Sequence, residues 1–407
     1  MEKVIAIYRK SYSGLSPSIW WLSLVMFINR SGTMVVPFMT LYLTKNLHFS
    51  NADAGIVMAM FGGGAVCGGL LGGRISDLIG FLPMQVFALA GGGLMFLVLG
   101  QMTSFPLICL FTFLLSTVNE AFRPANAAAI GHYSTDASRT RSFSLNRLAV
   151  NLGWAFGGSI GGFIAATNYH LLFWIDAGTN LSAALLLFFL FGPVRISARA
   201  HKQQVAVAAD VKVRKAYEDK VYLAFVVLVA MYAYVFFQLF STLPLYYDQV
   251  LHLTEYFIGS IMAIGGVIIA LFEMIIIYYL EGKRDLLQYV FYGTLLIGFA
   301  FVMYNLFPGA AVLAAVSMLI LTIGEILSMP FMNSYWVART NNANRGQYAG
   351  LYTVAWASAQ VLGPFTGAAV AQRYGFDTLW WMIGGISVLT LAGFKYLQRL
   401  ERAPGAA

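Results

Sequence analysis

Charge is scarce in this chain. Only 10% of its 407 residues are Asp, Glu, Lys or Arg, where a water-soluble protein of that length carries about a quarter. Cysteine is nearly absent: Cys67 and Cys109 both fall in apolar runs, which excludes a disulfide framework and any metal site of paired thiols. The five histidines, His48, His132, His170, His201 and His252, are scattered through loops and run ends, so no metal-ligating cluster forms. No segment reads G-x-x-x-x-G-K-[ST], which removes the usual nucleotide-binding loop. Short alternating segments are missing too, which argues against a membrane β-barrel. No cleavable leader is seen; Lys3, Arg9 and Lys10 read as a cytoplasmic tail.

What fills the chain is apolar. Hydrophobic residues make up 59%, the mean hydropathy is +0.73, and the runs reach the roughly 20 residues that cross a bilayer. The expectation is an all-α integral membrane protein of twelve transmembrane helices. Spans 1 to 12 fall near 18–42, 53–72, 83–101, 105–131, 142–166, 170–190, 221–247, 255–279, 288–307, 310–335, 347–370 and 377–396. With the N-terminus inside, 20 of the 25 basic residues are cytoplasmic, and only Lys45 and Arg373 lie outside. This positive-inside bias predicts a multi-pass protein of the inner (cytoplasmic) membrane with both termini in the cytoplasm. It also explains the net charge of +8 and the pI near 9.3 without nucleic acid.

The halves repeat. At an offset of 204, Leu41-Tyr42 matches Leu245-Tyr246, Leu47-His48 matches Leu251-His252, and Gly55, Met58, Ala59 and Gly62 match Gly259, Met262, Ala263 and Gly266. At 206, Pro124 pairs with Pro330, Arg139 with Arg345, Gly157 with Gly363 and Gly161 with Gly367. Six spans per copy cannot invert, so the repeats are parallel, an arrangement that places a substrate site between halves near the bilayer midplane. The expected domains are an N-terminal six-helix bundle over 1–190, a polar, basic cytoplasmic linker over 191–220, and a C-terminal six-helix bundle over 221–407. One chain holds both halves, which predicts a monomer.

The stretch Gly72 to Phe81, "GGRISDLIGF", resembles the loop motif between spans 2 and 3 of the major facilitator superfamily, through Gly73, Asp77 and Gly80. The resemblance covers nearly the whole chain. It implies two pseudo-symmetric six-helix bundles, and an Asp77 that helps close the cytoplasmic side by contacting the end of span 11. Phe81 and Leu82 stand where the family has two basic residues. In span 5, "GWAFGGSIGG" sets Gly153, Gly157 and Gly161 four apart, a close-packing pattern. It is similar to the family's antiporter motif, with Gly157-Gly158 where that motif has Gly-Pro; the Pro form stands at Gly363-Pro364. The match of this stretch to G-x-S-x-G around Ser159 would need a strand-turn-helix to mean a nucleophile.

Ionisable residues inside spans mark functional sites by default. Glu325 is the lone charge in the run from Ala310 to Phe331. An isolated carboxyl in such a run suits proton coupling, and Glu120, Glu273 and Asp176 are further candidates. The competing reading of Glu325 is a partner for Arg30 across the halves, and that of Asp176 is a helix-packing feature. Arg30 cannot shed its charge and needs a carboxylate, a wet cavity or an anionic substrate group. Glu120 and Arg123, three apart, share a helical face and pair or serve the gate. Arg123 and Arg147 are assigned to gating with Gly73, Asp77 and Gly80. Asn29, Asn126, Asn151, Tyr232, Gln238, Asn333, Tyr352, Trp356 and Gln360 are the polar or aromatic mid-span residues expected to line a cavity.

These features point to a secondary transporter, driven by an ion gradient and working by alternating access. The expected partners are a small molecule, a coupling ion (the proton) and the lipid bilayer, with no cofactor. The first reading is an exporter of drugs or amphipathic metabolites. A second is proton-coupled uptake of peptides or other small zwitterions or anions. Arg30 and "TIGEILSMPF" in span 10 resemble positions of the proton-dependent oligopeptide transporters, where they would hold a carboxylate and an amine. That family has two glutamates before the Arg, where this chain has Met26 and Asn29. A membrane enzyme or receptor on the same scaffold finds no nucleophile, metal cluster or soluble domain to support it.

Overall fold

The computed structural model describes residues 2–165, 167–191, 215–307 and 312–402. Most of the expected linker, 192–214 with Arg195, Arg199, His201, Lys202, Lys212 and Arg214, lies outside the described residues. So do residues 166, 310 and 311 at the expected edges of spans 5 and 10. Among the described residues every regular element is helical. Eleven helices among the described residues are long and apolar enough to cross a membrane. The last, Arg345–Arg402, contains Gly375 at φ 86° and ψ 163°, a conformation open to glycine. The break there divides it into spans 11 and 12, which gives twelve. Exposed residues such as Phe163, Phe189, Phe365 and Val312 give the helices an apolar exterior suited to lipid rather than water.

The helix starts follow from side chains that satisfy first-turn N–H groups. Ser50 and Asp53 form a capping box at the head of Asn51–Ile79. Thr254 caps Glu255–Leu280 through Phe257 N–H, and Asp219 caps Lys220–Phe237 through Tyr222 N–H. Three of the described spans are interrupted. Span 1 runs as Pro17–Ser31, a turn, Val35–Leu41 and a π-helical turn Tyr42–Asn46. Span 7 runs as Lys220–Phe237, a 3₁₀ turn Gln238–Phe240, and Thr242–Gln249. Span 4 is interrupted once, at Ala121, between Phe105–Glu120 and Phe122–Tyr133.

One element departs from expectation. The N-terminal segment read as a tail is a helix, Glu2–Tyr12, with Arg9 and Lys10 in its last turn, where cations suit the helix dipole. Tyr8 Oη donates to the Leu271 carbonyl at 2.8 Å, which holds this helix along span 8.

The repeat is visible in local geometry. His48 and His252 are the only non-glycine residues with positive φ among those described, at 57° and 52°. Around them Leu47 N–H bonds Tyr42 O and Phe49 N–H bonds Leu43 O, while Leu251 N–H bonds Tyr246 O and Leu253 N–H bonds Tyr247 O. Ser50 and Thr254, again 204 apart, cap the next helices.

The chain clusters into two compact units. One comprises 15–218 with 339–357, the other 1–14, 219–338 and 358–407. In the first, Phe122, Phe173 and Ile108 are among the buried core residues; in the second, Trp336, Trp380 and Phe301 are.

Candidate functional site

The first unit contains the loop motif. Helix Asn51–Ile79 crosses the start of the helix beginning at Arg345 through small residues. A Cβ added to Gly73 would strike the Gly346 carbonyl, and one on Gly350 would lie 2.7 Å from the Gly69 carbonyl oxygen. That closeness lets Asp77 reach the new helix: its carboxylate accepts Gly346 N–H at 2.6 Å and Gln347 N–H at 2.8 Å. A carboxylate on first-turn amides satisfies groups a helix leaves open and complements its dipole. Gly80, at φ 96°, ends span 2 immediately afterwards. Arg345 is attracted by Asp77 and repelled by Arg139; its guanidinium donates to Thr340 Oγ1 and Asn342 Oδ1, each at 3.2 Å. Phe81 packs on the His132 ring with centroids 5.1 Å apart, and His132 Nδ1 lies 3.3 Å from Asn342 Oδ1.

The same unit holds the ionisable residues of spans 1, 4 and 6: Glu120 and Asp176 are buried, and Arg30 and Arg123 are half-buried. Arg30 lies in the last turn of Pro17–Ser31, the first segment of span 1. Span 5 lies tight against it: a Cβ on Gly153 would be 2.5 Å from Arg30 Cβ, and one on Gly157 would be 3.1 Å from the Ser31 carbonyl oxygen. The spacing of four was thus a packing signal. The charged groups acting on the Arg30 guanidinium are Glu120 and Arg123, and these two form an ion pair at 3.1 Å. Arg123 and Arg147 both act on Tyr352, whose ring lies 6.3 Å from that of Trp356. Asn29 Nδ2 donates to Asn180 Oδ1 at 3.0 Å, and Asn126 Nδ2 to Asn146 Oδ1 at 3.1 Å. Asn151 is half-buried on helix Arg139–Ala165, which runs without interruption through Ser159, so the strand-turn-helix of a nucleophile elbow is not there. Asp176 is fully buried and accepts from Met34 and Val35 N–H at the break of span 1.

The second unit holds Glu325, Glu273, Tyr232, Gln238, Asn333 and Gln360. Glu325 is buried, 7% exposed, in helix Val312–Ala338, which continues through Pro330. The turn around it is tightly packed: a Cβ on Gly293 would lie 2.5 Å from the Gly324 carbonyl oxygen and 2.7 Å from Ser328 Cβ. Ser328, three residues on, shares a 2.5 Å hydrogen bond with Tyr232 Oη. Glu273 is buried in span 8; the Tyr12 phenol is pushed above its ordinary pKa by its burial first, then by Tyr8 and Glu273. Gln238 is wholly inside: Nε2 donates to Tyr234 O at 3.2 Å and Gly363 O at 2.9 Å, and Oε1 accepts from Thr242 Oγ1 at 2.8 Å. Its amide joins spans 7 and 11, and its bonding groups are taken up by protein. Asn333 bonds within its own helix, to Met329 O and Trp336 Nε1. Gln360 is exposed.

Sequence reasoning missed Thr179, Asn180, Ser328, Tyr8 and Tyr12. The first three are uncharged polar residues that also bond within their own helices, so composition did not single them out.

The sequence profile of the Major Facilitator Superfamily matches residues 19–364. The tetracycline resistance protein, class D, of Salmonella ordonez is 24% identical, over 81% of this chain and 83% of that one. A Na+, Li+, K+/H+ antiporter of Planococcus maritimus is 22% identical, over 91% and 92%. Among solved structures, the human organic anion transporter MFSD10 (TETRAN) superposes with a TM-score of 0.73 at 15% identity, over 93% of this chain and all of that one.

Proposed function

The chain belongs to the Major Facilitator Superfamily, and from that premise we propose that it is a proton-coupled secondary transporter which exports small amphipathic molecules by alternating access. The observation that carries the reading is charge set within apolar helices, buried at Glu120, Glu273 and Glu325 and half-buried at Arg30 and Arg123. One unit holds Arg30 with Glu120 and Arg123; the other holds buried Glu325 and Glu273. Buried ionisable groups are costly in a membrane protein and are retained for ion or substrate pathways. Glu325 is the coupling residue, gaining and losing a proton during the cycle, with Glu273 and Glu120 as secondary candidates. Arg30 and Asn29 contact substrate, with Asn151, Trp356, Gln360 and Asn333. Asp77, with Gly73 and Gly80, holds the head of span 11 as a gate element, and Arg123 and Arg147 belong to the same gate. The protein sits in the inner membrane as a monomer of two six-helix bundles, 1–190 and 221–407, with both termini cytoplasmic. The names of the two relatives, a tetracycline resistance protein and a cation/proton antiporter, support export and proton exchange.

Arg30 favours a second reading in one respect. A permanent cation in span 1 suits a substrate with a carboxylate, so peptides and small anions belong in the assay. The test is proton movement in proteoliposomes, wild type against Glu325→Gln, with tetracycline, a cationic dye and dipeptides as substrates. Substrate-driven proton flux that falls about a hundredfold in the variant, the scale of losing one proton-transfer group, is the expected result. A variant that moves substrate with coupling intact removes Glu325 from the role. Inward substrate movement down the proton gradient replaces export with uptake.

A further inference from the structure

Span 1 is broken just after its first segment, in whose last turn Arg30 lies, and span 6 brackets the break. Gly32 and Thr33 N–H turn back to Arg30 O, and Met34 N–H also meets Gly32 O at 2.8 Å. The helix ladder is therefore lost at Met34 and Val35. Asp176 supplies acceptors in its place: Oδ1 lies 2.9 Å from Met34 N, and Oδ2 lies 3.3 Å from Met34 N and 3.0 Å from Val35 N. One turn along span 6, Asn180 Nδ2 donates to Asp176 O at 2.7 Å, and Asn180 Oδ1 accepts from Asn29 on the other side of the break. Thr179 Oγ1 donates to its own helix at Ile175 O, 3.0 Å. A Cβ on Gly32 would collide with it. Residues 176, 179 and 180 lie on one helical face.

We propose that Asp176, Thr179 and Asn180 form a clasp that holds span 1 broken between Ser31 and Val35, and that Asp176 is a positioning residue for Asn29 and Arg30 rather than a carrier of protons. Asp176 is wholly buried, and what sets it apart from Glu325 and Glu273 is that its carboxylate is engaged by the backbone of span 1. Both its oxygens hold backbone amides that have lost their helical acceptors; Met34 N–H keeps Gly32 O beside it, so Val35 N–H depends most on Asp176, and a buried amide left unpaired is costly. The clasp is also confined to the half that holds Arg30. At the repeat offset of 204 in span 1, Arg30 corresponds to Tyr234, and at 206 in span 6, Asp176, Thr179 and Asn180 correspond to Met382, Gly385 and Ile386. The break in span 7 is tied differently, by Gln238 from within the broken span. A broken span therefore does not by itself require an acid at this position; the acid accompanies the arginine. On the other side of Arg30, Gly153 and Gly157 of span 5 complete the seat.

The part of this inference that concerns substrate rests on the proposed function; the clasp does not. The test is hydrogen–deuterium exchange of the purified full-length protein in lipid nanodiscs, reading peptides that cover 32–46. In Asp176→Asn the amides of Met34 and Val35 exchange about tenfold faster or more, as loss of charge-assisted bonds predicts, while peptides over 286–306 keep wild-type rates. Asn180→Ala, a milder change, gives a smaller acceleration in the same peptides. In proteoliposomes, Asp176→Asn lowers tetracycline flux and proton flux in the same ratio. Unchanged exchange over 32–46 in both variants overturns the clasp. Tetracycline flux that survives with its proton flux lost returns Asp176 to proton coupling. If tetracycline is not moved at all, exchange alone decides, so failure of the transport reading is distinguishable from failure of the clasp.

Discussion

A buried polar side chain in a membrane helix serves either its neighbours or a ligand, and the count of bonds it makes to protein separates the two. Gln238 makes three, to Tyr234, Gly363 and Thr242. Gln238→Ala would remove the side-chain bonds to the Gly363 carbonyl and the Thr242 hydroxyl, at about 0.5–1.5 kcal/mol for each bond lost. The expected outcome is a lower melting temperature in detergent with an unchanged KM for any transported substrate. A raised KM at normal stability would make Gln238 a ligand residue. Tyr232 belongs with Gln238, since its hydroxyl is held by Ser328. Arg30 is different in kind: no neighbour can neutralise it by taking its proton, and the nearby carboxylate Glu120 is already shared with Arg123.

At the scale of elements, the crossing of spans 2 and 11 is set by glycine before it is set by charge. Gly73 and Gly346 each fill the space a Cβ of the other would need, and only at that distance can Asp77 accept two amides of the new helix. Gly346→Ala must therefore push the helices apart and lengthen both bonds, although the carboxylate is untouched. Asp77→Asn keeps the spacing and loses one charge-assisted bond, which is worth about 1.5–3 kcal/mol. Transport rates are expected to fall in both, with Gly346→Ala at least as severe as Asp77→Asn. A harmless Gly346→Ala would show that the close crossing is not required. The motif was legible in sequence because glycine spacing and an acid in an apolar context are rare signals. The breaks in spans 1 and 7 were not. Nothing in "NRSGTMVV" distinguishes a turn from a helix carrying one glycine, and the decisive groups, Asp176 and Asn180, lie 142 and 151 residues from their partners Met34 and Asn29. Helix Glu2–Tyr12 was missed for a related reason. It is too short and too polar to read as a span, and a tyrosine bond to a carbonyl 263 residues away fixes it.

At the scale of the whole molecule, duplication makes a prediction that no single site makes. Twelve spans and the 204-residue offset were legible because apolar length and repeated identities survive divergence. The offset also carries backbone conformation: His48 and His252 both sit at positive φ, each followed two residues later by a helix cap, Ser50 or Thr254. A non-glycine residue there stores about 1–2 kcal/mol, which glycine relieves, less the entropy glycine adds to the unfolded chain. His48→Gly and His252→Gly should therefore each be neutral or stabilising by up to about 1 kcal/mol, with the same sign at both positions. His48→Val and His252→Val should both destabilise by about 2 kcal/mol, since β-branched residues are excluded from this conformation. Thermal unfolding of the four variants in one detergent checks this. Opposite signs at the two sites would mean that the turns, though alike in backbone, are held by different tertiary contacts, and that the halves have diverged in how they join their first two spans.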